Sequence, residues 1–161
     1  MPDGPVILNN TPLVALSVLG RLDFLRRLFG EVLIPQAVCD EFLAVEAESR
    51  RAILAAAPWI CSVPLTEPRR ALAYAGLDLG EAEVLALGEE RSARLLVIDE
   101  RKARRYAERM KFSVTGTLGL LLLGKKRGLI ASITDEATRL QQAGLYLSLP
   151  LLAKAKEIAG E

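Results

Sequence analysis

Short apolar runs, each followed by residues at helical spacing, constrain this chain more than any other feature of its sequence. Pro5 to Leu8, Glu31 to Ile34, Trp59 to Val63, Leu95 to Ile98 and Phe112 to Val114 have strand length. Between them lie helical patterns over Leu13 to Val18 and Arg21 to Phe29, then a helix opened by Pro35 with Val38, Phe42 and Val45 on one face. Further helices are expected over Ala44 to Ala57, Glu81 to Arg91, Arg101 to Met110 and Thr117 to Lys126. Beyond these come one or two more, with a turn at Gly144 and a last helix from Pro150. Pro64 to Asp78 reads as loop with a short helix, and Trp59 to Val63 as an edge strand. Short apolar strands alternating with helices predict a parallel sheet covered on both faces. With 161 residues, no repeat and no linker, residues 1–161 are expected to form one domain.

The chain contains no histidine. That removes Ser-His and Cys-His nucleophile pairs, His-ligated zinc and imidazole acid–base chemistry. Hydrolytic chemistry would then rest on carboxylates, lysine or hard cations held by oxygen. The only cysteines, Cys39 and Cys61, read as buried free thiols. The longest apolar stretch, Leu118 to Leu123 around Gly119, is far short of the roughly 20 residues of a membrane span. Met-Pro-Asp-Gly at the start lacks the basic opening of a secretory leader, so a cytoplasmic location without membrane attachment is expected.

In an open parallel sheet, ligands bind beyond the carboxyl ends of the strands. Here the first strand ends at Asn9-Asn10, the second is followed by Asp40-Glu41, and Leu95 to Ile98 ends at Asp99-Glu100. Glu81 and Glu83 open the helix before that last strand. Carboxylates gathered at one edge repel one another unless a cation neutralises them, and Mg²⁺ and Mn²⁺ prefer such oxygen ligands. The same acids also suit helix N-termini, which would account for Asp40, Glu81 and Glu83 through helix stability alone.

Val6 to Leu16, with Asn9-Asn10-Thr11-Pro12 after the strand, resembles the opening of a PIN domain. Ile34-Pro35 with Val38 and Glu41-Phe42 resembles the second motif of that family, Gly80-Glu81-Ala82-Glu83 the third and Leu96-Val97-Ile98-Asp99 the fourth. With Val114-Thr115-Gly116-Thr117, the set is similar to the DUF3368 group, related to VapC-type toxin ribonucleases, over residues 6 to about 130. The resemblance implies a three-layer α/β/α fold with a central, mainly parallel sheet. It also implies Mg²⁺- or Mn²⁺-dependent cleavage of single-stranded RNA, a role as the toxin of a toxin–antitoxin pair with an antitoxin partner, and a homodimer. Carried over motif by motif, the metal-site positions are Asn9, Glu41, Glu81 and Asp99, with Glu41, Glu81 and Asp99 catalytic. Glu81 is preferred to Glu83 because it stands eighteen positions before Asp99, and Glu83 is the alternate. Where PIN nucleases carry aspartate first, this chain has Asn9, which can ligate a metal but brings no charge. The alternative expectation is therefore a catalytically weakened PIN-fold module that binds nucleic acid or protein.

Net charge is +1, so nucleic acid would be attracted only locally. Arg101, Lys102, Arg104 and Arg105, with Arg109, crowd the helix beginning beside Asp99 and are the expected phosphate contacts. The alternative is a solvated face pairing with Glu100 and Glu108. Tyr106 is the one ring expected nearby, and Lys125, Lys126 and Arg127 form a second basic cluster. Gly119 to Lys126 imitates a phosphate-binding loop but fills it with four leucines and ends in lysine where Ser or Thr should stand, so it reads as buried helix. Thr115-Gly116-Thr117 reads as the turn capping that helix. The apolar stretch Leu22 to Phe29 is the candidate dimer face, with core packing as its alternative.

Overall fold

The computed structural model describes residues 3–161; Met1 and Pro2, the start of the segment read above for a leader, lie outside the described residues. Strands β1 (Val6–Leu8), β2 (Val32–Pro35), β3 (Ile60–Val63), β4 (Leu95–Val97) and β5 (Val114–Thr115) form one sheet in the order β3-β2-β1-β4-β5, every pair parallel. Val6 sits opposite Val32 on one side and Leu95 on the other. β1 and β2 are buried at every residue, as strands covered on both faces must be. β3 is an edge strand, as expected. β5 starts two residues later than predicted, because the Phe112 amide closes the preceding helix by donating to Ala107 O at 3.0 Å.

The helices are α1 (Asn10–Val18), α2 (Asp23–Phe29), α3 (Gln36–Leu43), α4 (Ala47–Ala55), α5 (Leu79–Arg91), α6 (Arg101–Arg109), α7 (Thr117–Lys126), α8 (Ile133–Gln142) and α9 (Leu149–Ala159). A 3-10 turn, Pro68–Ala73, occupies the stretch read as loop. On one side α5 packs against β1, β2 and β4, flanked by α3 and α6. On the other, α7 packs with α1, α2, α8 and α9, which completes the three-layer α/β/α arrangement. Gly88 of α5 lets Leu96 and Phe112 close in, and Gly124 of α7 does the same for the ring of Phe24, where a Cβ would stand 3.2 and 2.4 Å from those side chains.

Several expectations are corrected. The helical stretch predicted from Ala44 breaks at Glu46, whose left-handed backbone (φ 49°) separates α3 from α4, and Val45 is left exposed. Leu22, Phe24 and Leu25, read as a dimer face, are buried in the core, since α2 folds back on β2 and α7. Both cysteines are free but partly, not fully, buried. Among the described residues no helix is long and apolar enough to cross a membrane.

Candidate functional site

Because all five strands run the same way, their carboxyl ends share one edge. Strand order reverses between β1 and β4, so a crevice opens there, at the position where parallel sheets take ligands. Asn9 leaves β1 into that crevice; it is buried, and its backbone N–H donates to Val97 O at 3.0 Å. Asp99 leaves β4 beside it. Glu41 reaches the same edge from α3, which follows β2, and Glu81 from the first turn of α5.

One group of acids surrounds Gly80. Asp78 caps α5, its carboxylate accepting the Glu81 amide at 2.8 Å. Glu81 itself is buried. That burial pushes its carboxyl up to about 8, with the hydrogen bond and charge of Asp78 next in weight and the charge of Glu100 after them. Burial, then the charge of Asp78, also holds Glu41 above the ordinary carboxylate range, while a hydrogen bond from the Asn10 amide pulls it back. Gly80 makes the approach possible: a Cβ there would stand 3.0 Å from Glu41 Oε2 and 3.6 Å from Asp78 Oδ1. Beside them, Asn10 Oδ1 is buried and, among the described residues, without a partner.

Asp99 belongs to a second group. Thr117 donates to it twice, through its amide at 2.8 Å and its hydroxyl at 2.5 Å, so Asp99 closes the N-terminus of α7 that Gly116 leaves without a side-chain cap. A Cβ on Gly116 would stand 2.5 Å from Asp99 Oδ1. Arg104 lies alongside, its guanidinium donating to Ile98 O at 2.9 Å.

A hard divalent cation suits these residues in kind. The donors are all oxygen, two of the carboxyls are pushed upward by burial and then by neighbouring negative charge, and a buried amide oxygen stands unpaired. Among the described residues, however, no three Asp, Glu or Cys side chains converge on a point one ion could occupy. A cation here would bind through one or two carboxylates and complete its shell with amide oxygen, water and phosphate. That is the ordinary habit of Mg²⁺.

Glu83 has a different task. Its Oε1 accepts the Ala37 amide at 3.0 Å and so caps α3 from a distance of 46 positions. Asp40 is turned outward, accepting from the Gln36 side chain.

A cleft of about 570 Å³ extends from Asp99 between α6 and the segment leading into α9. Arg101, Arg104 and Arg105 line it with Glu108, whereas Lys102 lies on the other side of α6, its ammonium against Gly76. Among the described residues none of these cations forms an ion pair, so the pairing with Glu100 and Glu108 does not occur. Glu100 instead caps α6 by accepting the Ala103 amide. In the second basic cluster, Lys125 is neutralised by Glu161 at 2.8 Å. Tyr106 is turned away from the cleft: its hydroxyl donates to Ala75 O and its ring meets Tyr74 edge-on.

Two residues of this edge escaped the sequence reading. Asp78 left a signal, since Asp78-Leu79-Gly80-Glu81 has the cap-to-third-residue spacing that opens helices. Tyr146, in the far wall of the cleft, left none. The family model DUF3368, described as a PIN domain, matches residues 5–161. No curated protein matches the chain.

Proposed function

Since this chain belongs to the PIN-domain family, a family of nuclease-like proteins that generally use divalent metal ions, we propose that it is a metal-dependent endoribonuclease acting on single-stranded RNA. The observation that carries the reading is Glu81: a carboxyl buried beside Asp78 and Glu41, at the crevice between β1 and β4, whose charge only a cation would accommodate comfortably. Asn9, Glu41, Glu81 and Asp99 are the residues assigned to hold Mg²⁺ or Mn²⁺. When bound, the ion would supply Lewis-acid stabilisation and an acidified water. The chain's own part is to place the substrate. Arg101, Arg104 and Arg105 would hold backbone phosphates beside Asp99, and Thr117 keeps the Asp99 carboxylate turned one way. Lys102, outside the cleft, would add only longer-range attraction. The finer roles, toxin of a toxin–antitoxin pair in the cytoplasm, with an antitoxin partner or as a homodimer, are part of the proposal.

The test is cleavage of single-stranded RNA with Mn²⁺, compared with chelator. Wild type is expected to cut, and Asp99→Asn to lose at least about 100-fold, the scale of removing a key electrostatic group. A second reading has its own support: Asn9 stands at the first acidic position, and no three acids among the described residues share one ion. If wild type is inert and Asn9→Asp cuts, the chain is a binding module that kept the fold.

A further inference from the structure

Tyr146 is 88% exposed, the highest value among the large apolar and aromatic side chains of the described residues. It does not stand on an open face. It lines the same cleft as Asp99, Arg101, Arg104 and Arg105. The wall around it is apolar, built from Leu122, Leu147, Leu151 and Ile158, and Lys154 adds a further cation.

Those two walls ask for one kind of occupant. Three guanidiniums without carboxylate partners suit any polyanion, but an apolar wall carrying an exposed ring does not. A ligand that satisfies both must carry negative charge along one side and flat, weakly polar rings along the other. A single nucleic-acid strand has that form, and a duplex hides its rings within the stack. Tyr106 cannot serve, because its hydroxyl and ring are engaged by Ala75 and Tyr74 and its other partner is the Arg109 guanidinium, 5.6 Å from the ring centre.

We propose that Tyr146 is a base-stacking residue for single-stranded RNA: phosphates lie along Arg101, Arg104 and Arg105, a base rests on the Tyr146 ring, and the strand is thereby led to Asp99. The choice of RNA rests on the nuclease reading above; the stack itself rests on the cleft. Tyr146 is a positioning residue in this scheme, and its contribution tolerates any base because every base offers a flat face.

Binding of a fluorescein-labelled, unstructured 12-nucleotide RNA, followed by anisotropy with chelator present, tests this without any cleavage. Tyr146→Phe is expected to bind within about twofold of wild type, and Tyr146→Ala roughly 5- to 100-fold more weakly. With an oligomer lacking bases, wild type and Tyr146→Ala should bind alike. Arg105→Ala should weaken both oligomers and reduce the slope of log affinity against log salt by about 0.7, whereas Tyr146→Ala should leave that slope alone. Equal binding of the full RNA by Tyr146→Ala and wild type overturns the proposal. So does an equal loss on the baseless strand, no RNA binding by wild type, or binding of an acidic peptide or single-stranded DNA in preference to RNA. RNA bound through Tyr146 but never cut ends the nuclease reading and leaves the stack standing. RNA cut normally by Tyr146→Ala does the opposite.

Discussion

Asp99, two residues beyond β4, accepts both the amide and the hydroxyl of Thr117, and so its carboxylate ties the exit of that strand to the start of α7. A residue assigned to the chemistry is therefore also a structural fastening. Loss of activity on replacing it is ambiguous unless stability is measured beside it.

Thr117→Val removes the hydroxyl and keeps the shape. It should cost about 1 kcal/mol, the usual scale of a lost cap, read from urea unfolding. Asp99→Asn should cost a similar amount, and the double variant less than the sum, because both changes break one interaction. Strict additivity would show that the pair contributes nothing jointly.

Glu81 sets a pH dependence. Its carboxyl ionises near the ordinary 4.5 in the unfolded chain and near 8 in the folded one. Between those values folding takes up a proton, so stability declines as pH rises through that window. Glu81→Gln should flatten the profile of melting temperature against pH. Mn²⁺ should raise the wild-type melting temperature more at pH 8 than at pH 5.5, since at the lower pH it must displace a proton. A profile unchanged by Glu81→Gln would remove the buried charge from the account.

Glu83 separates cap from site. Glu83→Ala should lose about 1 kcal/mol through the freed Ala37 amide, with Mn²⁺ affinity nearly unchanged. Glu81→Gln should show the reverse, weaker Mn²⁺ binding without loss of stability above pH 7. If Glu83→Ala abolishes metal binding, the two glutamates have been assigned the wrong way round.

Gly116 is where backbone and carboxylate come closest. In Gly116→Ala the new methyl would stand 2.5 Å from Asp99 Oδ1, so either Asp99 turns or the turn before α7 moves. Stability should fall by about 1–3 kcal/mol, as for overpacked sites, and RNA cleavage should fall further than in Thr117→Val. Thermal unfolding and a cleavage assay on the same samples decide it.

The sheet could be read from the chain because its strands are short and mostly apolar, and the three-layer arrangement follows from that. The break at Glu46 could not, since Ala44-Val45-Glu46-Ala47 holds neither glycine nor proline to mark the left-handed turn. At the edge, Asn9, Glu41, Glu81 and Asp99 were visible because they follow strands or open helices. Their division into a group around Gly80 and another around Thr117 depends on helix placement, which periodicity does not encode. Tyr146 shows the same limit: it is 47 positions from Asp99 in the chain, and only the return of α9 against α7 brings the two to one cleft.

β1 takes both its neighbours from later in the chain, Val32 soon after it and Leu95 much further on. On the ribosome, a polypeptide that has emerged only through β3 carries Asn9 and Glu41 but has nothing to lay along the open side of β1. Glu81 and Asp99 follow only as α5 and β4 are made. Were this protein to cut RNA, its own messenger would be read through the Asp99 codon before the cutting edge existed.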